Sequence, residues 1–118
     1  MGYTTDFSGS ISIDPPLTLV EYNALVNFAD ERHEGKDYPS YYCQWIPTED
    51  GTALEWDGGE KFYYPVQWME YLIEHFLKDN HTLNGVIDAQ GEEADDRWRL
   101  IVKDNVVTEQ VPRLVWED

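Results

Sequence analysis

The sequence predicts an α+β domain in which two helices pack on an antiparallel sheet, with elements in the order βαββαβββ. Three observations carry this. The first thirteen residues alternate with a period of two, residues 65–80 carry a helical stripe, and the last third alternates again between turn-forming pairs. The first six elements follow the split βαβ order of ferredoxin-like folds. The length of 118 residues suits one acidic domain spanning 1–118, able to bury about 65% of the surface its unfolded chain exposes.

Each element has a local cause. Tyr3, Thr5, Phe7, Ile11 and Ile13 share one parity and Thr4, Asp6, Ser8, Ser10 and Ser12 the other, which describes a strand with one wet face. Pro15 and Pro16 end it. Thr18 and Glu21 form a capping box, Leu17 and Tyr22 its hydrophobic staple, and the helix they open has the stripe Tyr22, Leu25, Val26 and Ala29, with Gly35 as a stop. Tyr41–Ile46 and Ala53–Asp57, the latter with Leu54 and Trp56 on one face, read as a hairpin turning through Asp50-Gly51. Pro65 fits the first turn of a second helix with the stripe Val66, Met69, Leu72, Ile73 and Phe76, ended by Asp79-Asn80. Strands follow at Leu83–Asp88, at Trp98, Leu100 and Val102, and at Val106–Val111, the last pair joined by a tight turn at Asp104-Asn105.

Charge limits the function. A net charge of −16 repels phosphate backbones and anionic lipid faces, so neither direct nucleic-acid binding nor membrane binding by charge is expected. A hydrophobic fraction of 42% is too high for a disordered acidic tail. No apolar run approaches the roughly 18 residues of a membrane span, and residues 1–12 lack a basic start and an apolar stretch, so a cytoplasmic location is expected. Cys43 is the only cysteine, which excludes an internal disulfide and a cysteine-built zinc site.

The acidic residues cluster. Glu49, Asp50, Glu55, Asp57 and Glu60 form one group, and Asp88, Glu92, Glu93, Asp95 and Asp96 another, both in predicted turns or strand ends. Such runs serve as solvated turns, or they form one extended negative face complementary to a basic protein surface. Neither group follows a calcium-binding loop pattern. Ten aromatic residues lie between Tyr38 and Tyr71, more than the facing sides of a hairpin and a helix hide, so Tyr41, Tyr63 and Tyr64 are expected at the surface as contact residues.

Nothing points to catalysis. Cys43 has no base in sequence reach, His33 and His75 sit near helix C-termini, and His75 and His81 lack the spacing of a zinc pair. Gly58-Gly59 lacks the Lys-Ser or Lys-Thr of a phosphate loop, and Glu60-Lys61 reads as a turn pair. No cofactor, metal or enzymatic activity is expected.

The segments Tyr42-Cys43-Gln44-Trp45, Trp56-Asp57-Gly58-Gly59-Glu60-Lys61-Phe62-Tyr63, Trp68, Tyr71–Leu77 and Leu83-Asn84-Gly85 resemble a family of small uncharacterised acidic proteins of phages and bacterial genomes. The likeness covers 42–91 and departs from the family pattern at Tyr42 and Ala89, where that pattern places tryptophan. It implies no established activity, only a phage or mobile-element setting in which small acidic proteins often inhibit host defence or transcription. The expectation is therefore a non-enzymatic inhibitor that covers a basic, nucleic-acid-binding surface of a host complex. The alternative is a small-ligand or scaffold module using its surface aromatics, which requires a concave pocket.

Overall fold

A computed structural model describes residues 4–112; Tyr3, placed in the first strand by its parity, lies outside them. The elements are β1 (Asp6–Asp14), α1 (Leu19–Asp30), β2 (Trp45–Pro47), β3 (Ala53–Trp56), α2 (Pro65–Leu72), β4 (Thr82–Gln90), β5 (Arg97–Lys103) and β6 (Val106–Gln110). The strands form one antiparallel sheet in the order β2-β3-β1-β4-β5-β6. Its first four members stand in the split βαβ arrangement, with β3 between β2 and β1 and β1 between β3 and β4. The hairpin β5-β6 extends this core.

The centre of the sheet is the β1-β4 ladder, paired over nine residues from Asp6↔Gln90 to Asp14↔Thr82. Odd-numbered residues of these strands point to one side, where Phe7, Ile11, Ile13, Leu83, Ile87 and Ala89 are buried with Leu25 of α1 and Trp68, Met69 and Leu72 of α2. The expected core residues Met69, Leu72 and Ile73 are buried, while Trp56 and Phe76 pack half-buried against them. Two glycines sit inside the ladder. A Cβ on Gly9 would stand 2.6 Å from the Val86 carbonyl oxygen, and one on Gly85 2.6 Å from that of Ser10. Both have positive φ, at +105° and +154°, so the close backbone approach and the dihedral both require glycine.

Local signals of the sequence appear as hydrogen bonds. Thr18 Oγ1 accepts from the Glu21 N–H at 3.2 Å, and Glu21 Oε1 accepts from the Thr18 N–H at 2.8 Å. Glu21 also reaches His81: the buried ring lies between Glu21 Oε2 (2.8 Å from Nε2) and the Pro15 carbonyl (2.6 Å from Nδ1). Each ring nitrogen thus faces an oxygen, and the ring ties the helix start to the end of β1. Asp104 and Asn105 have positive φ, +48° and +71°, as the predicted two-residue turn requires.

Two boundaries, and the winding of the second helix, differ from the expectation. The strand expected at Tyr41–Ile46 is reduced to Trp45–Pro47, because the Tyr41 carbonyl accepts from the His33 N–H in the preceding loop instead of joining a ladder. Helix α1 stops at Asp30, well before Gly35, because Glu31 turns to extended dihedrals and the buried His33 ring, with Nε2 2.9 Å from the Phe28 carbonyl, closes its last turn. Helix α2 continues past Leu72 as a π-helical turn, Ile73–Leu77, whose wider winding buries both Ile73 and Leu77.

Two measurements test this framework. Gly85→Ala is expected to cost more than about 2 kcal/mol in chemical denaturation, since the backbone must move to admit the methyl group. The Thr18 amide first and the His81 ring next hold the Glu21 carboxyl below its ordinary value of 4.5. A carboxyl lowered in the folded state adds stability above that ordinary value and loses it as the pH falls. The stability difference between the parent and Glu21→Gln should therefore be full at pH 7 and shrink below about pH 4.5; a difference independent of pH would contradict the pairing.

Candidate functional site

The antiparallel register assigns every acidic residue to an end or a face of the sheet. One end carries Asp6, Gln90, Arg97 and the close of β3 at Trp56; the other carries Asp14, Thr82 and the β2-β3 turn. Asp57 and Glu60 follow β3 and lie at the first end, as do Glu92, Glu93, Asp95 and Asp96 in the β4-β5 connection. Glu49 and Asp50 lie at the opposite end, where the Thr52 and Gly51 carbonyls accept from the Ile13 and Leu17 N–H groups. The first acidic group is thus divided, because a hairpin places its turn at the far end from the residues that follow it. Glu55 and Asp88 stand on the helix-free face, Asp88 accepting from Arg99 Nε at 2.8 Å. The single face expected from ten carboxylates is reduced to six.

Those six are held by their own loops. Gln90 Nε2 donates to the Glu93 carbonyl at 2.9 Å and lies near those of Gly91 and Asp96, while Gly91 N–H donates to the Asp96 carbonyl at 2.7 Å. Glu92 Oε1 accepts from the Thr4 N–H at 2.9 Å. Asp57 Oδ1 accepts from the Gly59 N–H at 2.7 Å, and Gln44 joins that loop to β3: Oε1 accepts from Trp56 Nε1 at 3.0 Å and Nε2 donates to the Glu60 carbonyl at 3.0 Å. The Cys-Gln-Trp and Trp-Asp-Gly-Gly-Glu segments therefore interlock with each other. Their side chains build the loop and leave Glu60 pointing to solvent.

Beside Asp57 and Glu60, in the segments that adjoin them, lie tyrosines. Tyr41, Tyr42, Tyr63 and Tyr64 are between 48% and 61% exposed, and Ser40 ties the two segments together. Its Oγ accepts from Trp68 Nε1 at 2.6 Å and lies 3.4 and 3.3 Å from the Tyr42 and Tyr63 carbonyls. Tyr41, Tyr63 and Tyr64 are thus exposed as expected, and Tyr42 joins them. Arg32 shows what such a surface holds, its guanidinium lying 4.4 Å above the Tyr41 ring and 2.9 Å from Glu34.

Below the surface the same end is aromatic. Phe7 meets Trp45, Trp56, Phe62 and Trp98 edge to face, with ring centroids 5.0–5.9 Å apart across the cluster. Ala89, between Phe7 and Trp98 in the register, is small enough for the two rings to meet over it. Cys43 is buried beside Trp45, and burial pushes its thiol up to about 12. Among the described residues no three His, Cys, Asp or Glu side chains are placed to hold a metal ion, and no helix is long and apolar enough to cross a membrane.

Comparison of the chain with protein-family models, curated proteins and solved structures finds no match.

A thiol this far raised has almost no thiolate at neutral pH. Modification of Cys43 by a maleimide at pH 7.5 is expected to proceed at the rate of unfolding and to accelerate with denaturant. Labelling within the mixing time in native buffer would contradict the burial.

Proposed function

We propose that the protein is a non-catalytic, cytoplasmic binding protein whose acidic end covers a basic, nucleic-acid-binding surface of a larger protein complex. The resemblance to phage proteins adds the setting: an inhibitor of a host defence or transcription complex. The observation that carries the reading is the placement at one end of the sheet of Asp57, Glu60, Glu92, Glu93, Asp95 and Asp96, with four exposed tyrosines in the segments that adjoin Asp57 and Glu60. Carboxylates steer a basic partner inward and tyrosines supply contact area at low entropic cost. A net charge of −16 also exceeds the magnitude of about 2 to 8 that solubility requires of a small domain.

The division of the first acidic group supplies an internal control. Replacing Glu92, Glu93, Asp95 and Asp96 together by Lys should slow association with a captured basic partner by at least about tenfold at low salt and flatten its salt dependence, with dissociation less affected. Replacing Glu49 and Asp50 by Lys should change association far less. Equal association rates for the parent and the fourfold variant in stopped-flow measurements would sink the proposal.

A further inference from the structure

We propose that the helix-free face of the sheet carries a second binding site, a groove for a short peptide with free termini, net neutral and charged at both ends. The groove has a volume of about 620 Å³, with Asp6, Ser8, Asp88, Gln90, Arg97 and Arg99 along it and Val111-Pro112 at its margin. That volume lies within the usual range of about 300–1,000 Å³ for small-ligand sites.

The sheet register arranges the groove as rows. Ser8, Asp88, Arg99 and Gln110 face one another across β1, β4, β5 and β6, and the Asp88–Arg99 pair makes this row neutral within itself. The neighbouring row is Asp6, Gln90 and Arg97. It is left open. Neither the Asp6 carboxylate nor the Arg97 guanidinium has a side-chain partner among the described residues, and both are exposed. Gln90 between them directs its amide nitrogen to the carbonyls of the following loop, which leaves its amide oxygen as an acceptor.

These charges select a ligand. A wholly anionic molecule enters against the field of a chain of net charge −16, and a wholly cationic one meets Arg97 and Arg99. Only a dipolar molecule satisfies both open groups, an ammonium on Asp6 and a carboxylate on Arg97, whose guanidinium suits bidentate pairing. Adjacent strands lie about 4.8 Å apart, so the Asp6 and Arg97 backbones, two strands apart, stand about 10 Å from each other. An extended chain advances about 3.3–3.6 Å per residue, and three residues bridge that span. The groove lies on the face of the sheet and the proposed partner surface on the loops beyond its end, so either reading stands or fails alone.

The test is a nitrogen-15 NMR titration of the full 118-residue chain with tri-alanine and with a pool of tripeptides of uncharged side chains. The expected result is shifts confined to residues of the two rows, with affinity lowered about tenfold by N-acetylation or by C-terminal amidation. Arg97→Gln should remove the effect of amidation alone, and Asp6→Asn that of acetylation alone, with the remaining spectrum unchanged in both variants. The proposal is overturned if free tripeptides move no resonance of the groove. It is equally overturned if doubly capped peptides, or maltose as a neutral polyol, shift the same residues as strongly.

Discussion

The close pairing of β1 with β4 is the constraint on which the rest of this structure depends. The two strands are about seventy residues apart in sequence, and joining them closes the long loop that contains both helices and the first hairpin. Everything else attaches to one side of that ladder or the other: β3 and then β2 beyond β1, β5 and then β6 beyond β4. The backbones approach so closely at Gly9 and Gly85 that no side chain fits at either point. The gap this leaves in the apolar face is bordered by Ile11 and Ile87, the ladder partners of Gly85 and Gly9, both of which are fully buried.

How much of this is legible in the sequence depends on the range of the interaction. The Thr18–Glu21 box, Pro65 at the start of α2, the Asp104-Asn105 turn and the alternation of β1 and β5 are set by neighbours within a few residues, and the structure carries all of them. The order of the sheet follows from the order of the elements, since the split βαβ pattern leaves few alternatives. Tyr41–Cys43 read as strand because the residue types favour it, yet the Tyr41 and Tyr42 carbonyls are claimed by the His33 N–H of the preceding loop and by the hydroxyl of the adjoining Ser40, neither of which strand propensity registers. The separation of Glu49 and Asp50 from Asp57 and Glu60 was accessible without coordinates. A turn and the end of its second strand face opposite ways, and that geometry outweighs closeness in sequence. The groove was not accessible, because its rows come from registers among β1, β4, β5 and β6 that no local signal fixes.

The few cations are placed unevenly. Of eight Lys and Arg residues, Arg97, Arg99 and Lys103 stand on the helix-free side of β5 alone. The acidity of the protein is therefore a property of its loops and helices, while one sheet face is close to balanced. A uniform negative coat would serve solubility equally well, so the segregation has to be explained by what each surface meets. Strand β5 serves both sides, carrying Trp98 inward to the aromatic cluster and the guanidinium groups outward.

That cluster also has an optical consequence. Trp45, Trp56 and Trp98 all touch one phenylalanine, Phe7, at steep interplanar angles. Indole transitions held in such fixed, chiral proximity generate near-ultraviolet circular dichroism that vanishes when side-chain packing loosens, even where secondary structure survives. The acidic end of the molecule thus contains its own spectroscopic gauge of tertiary order, situated directly beneath the loops that carry the charge.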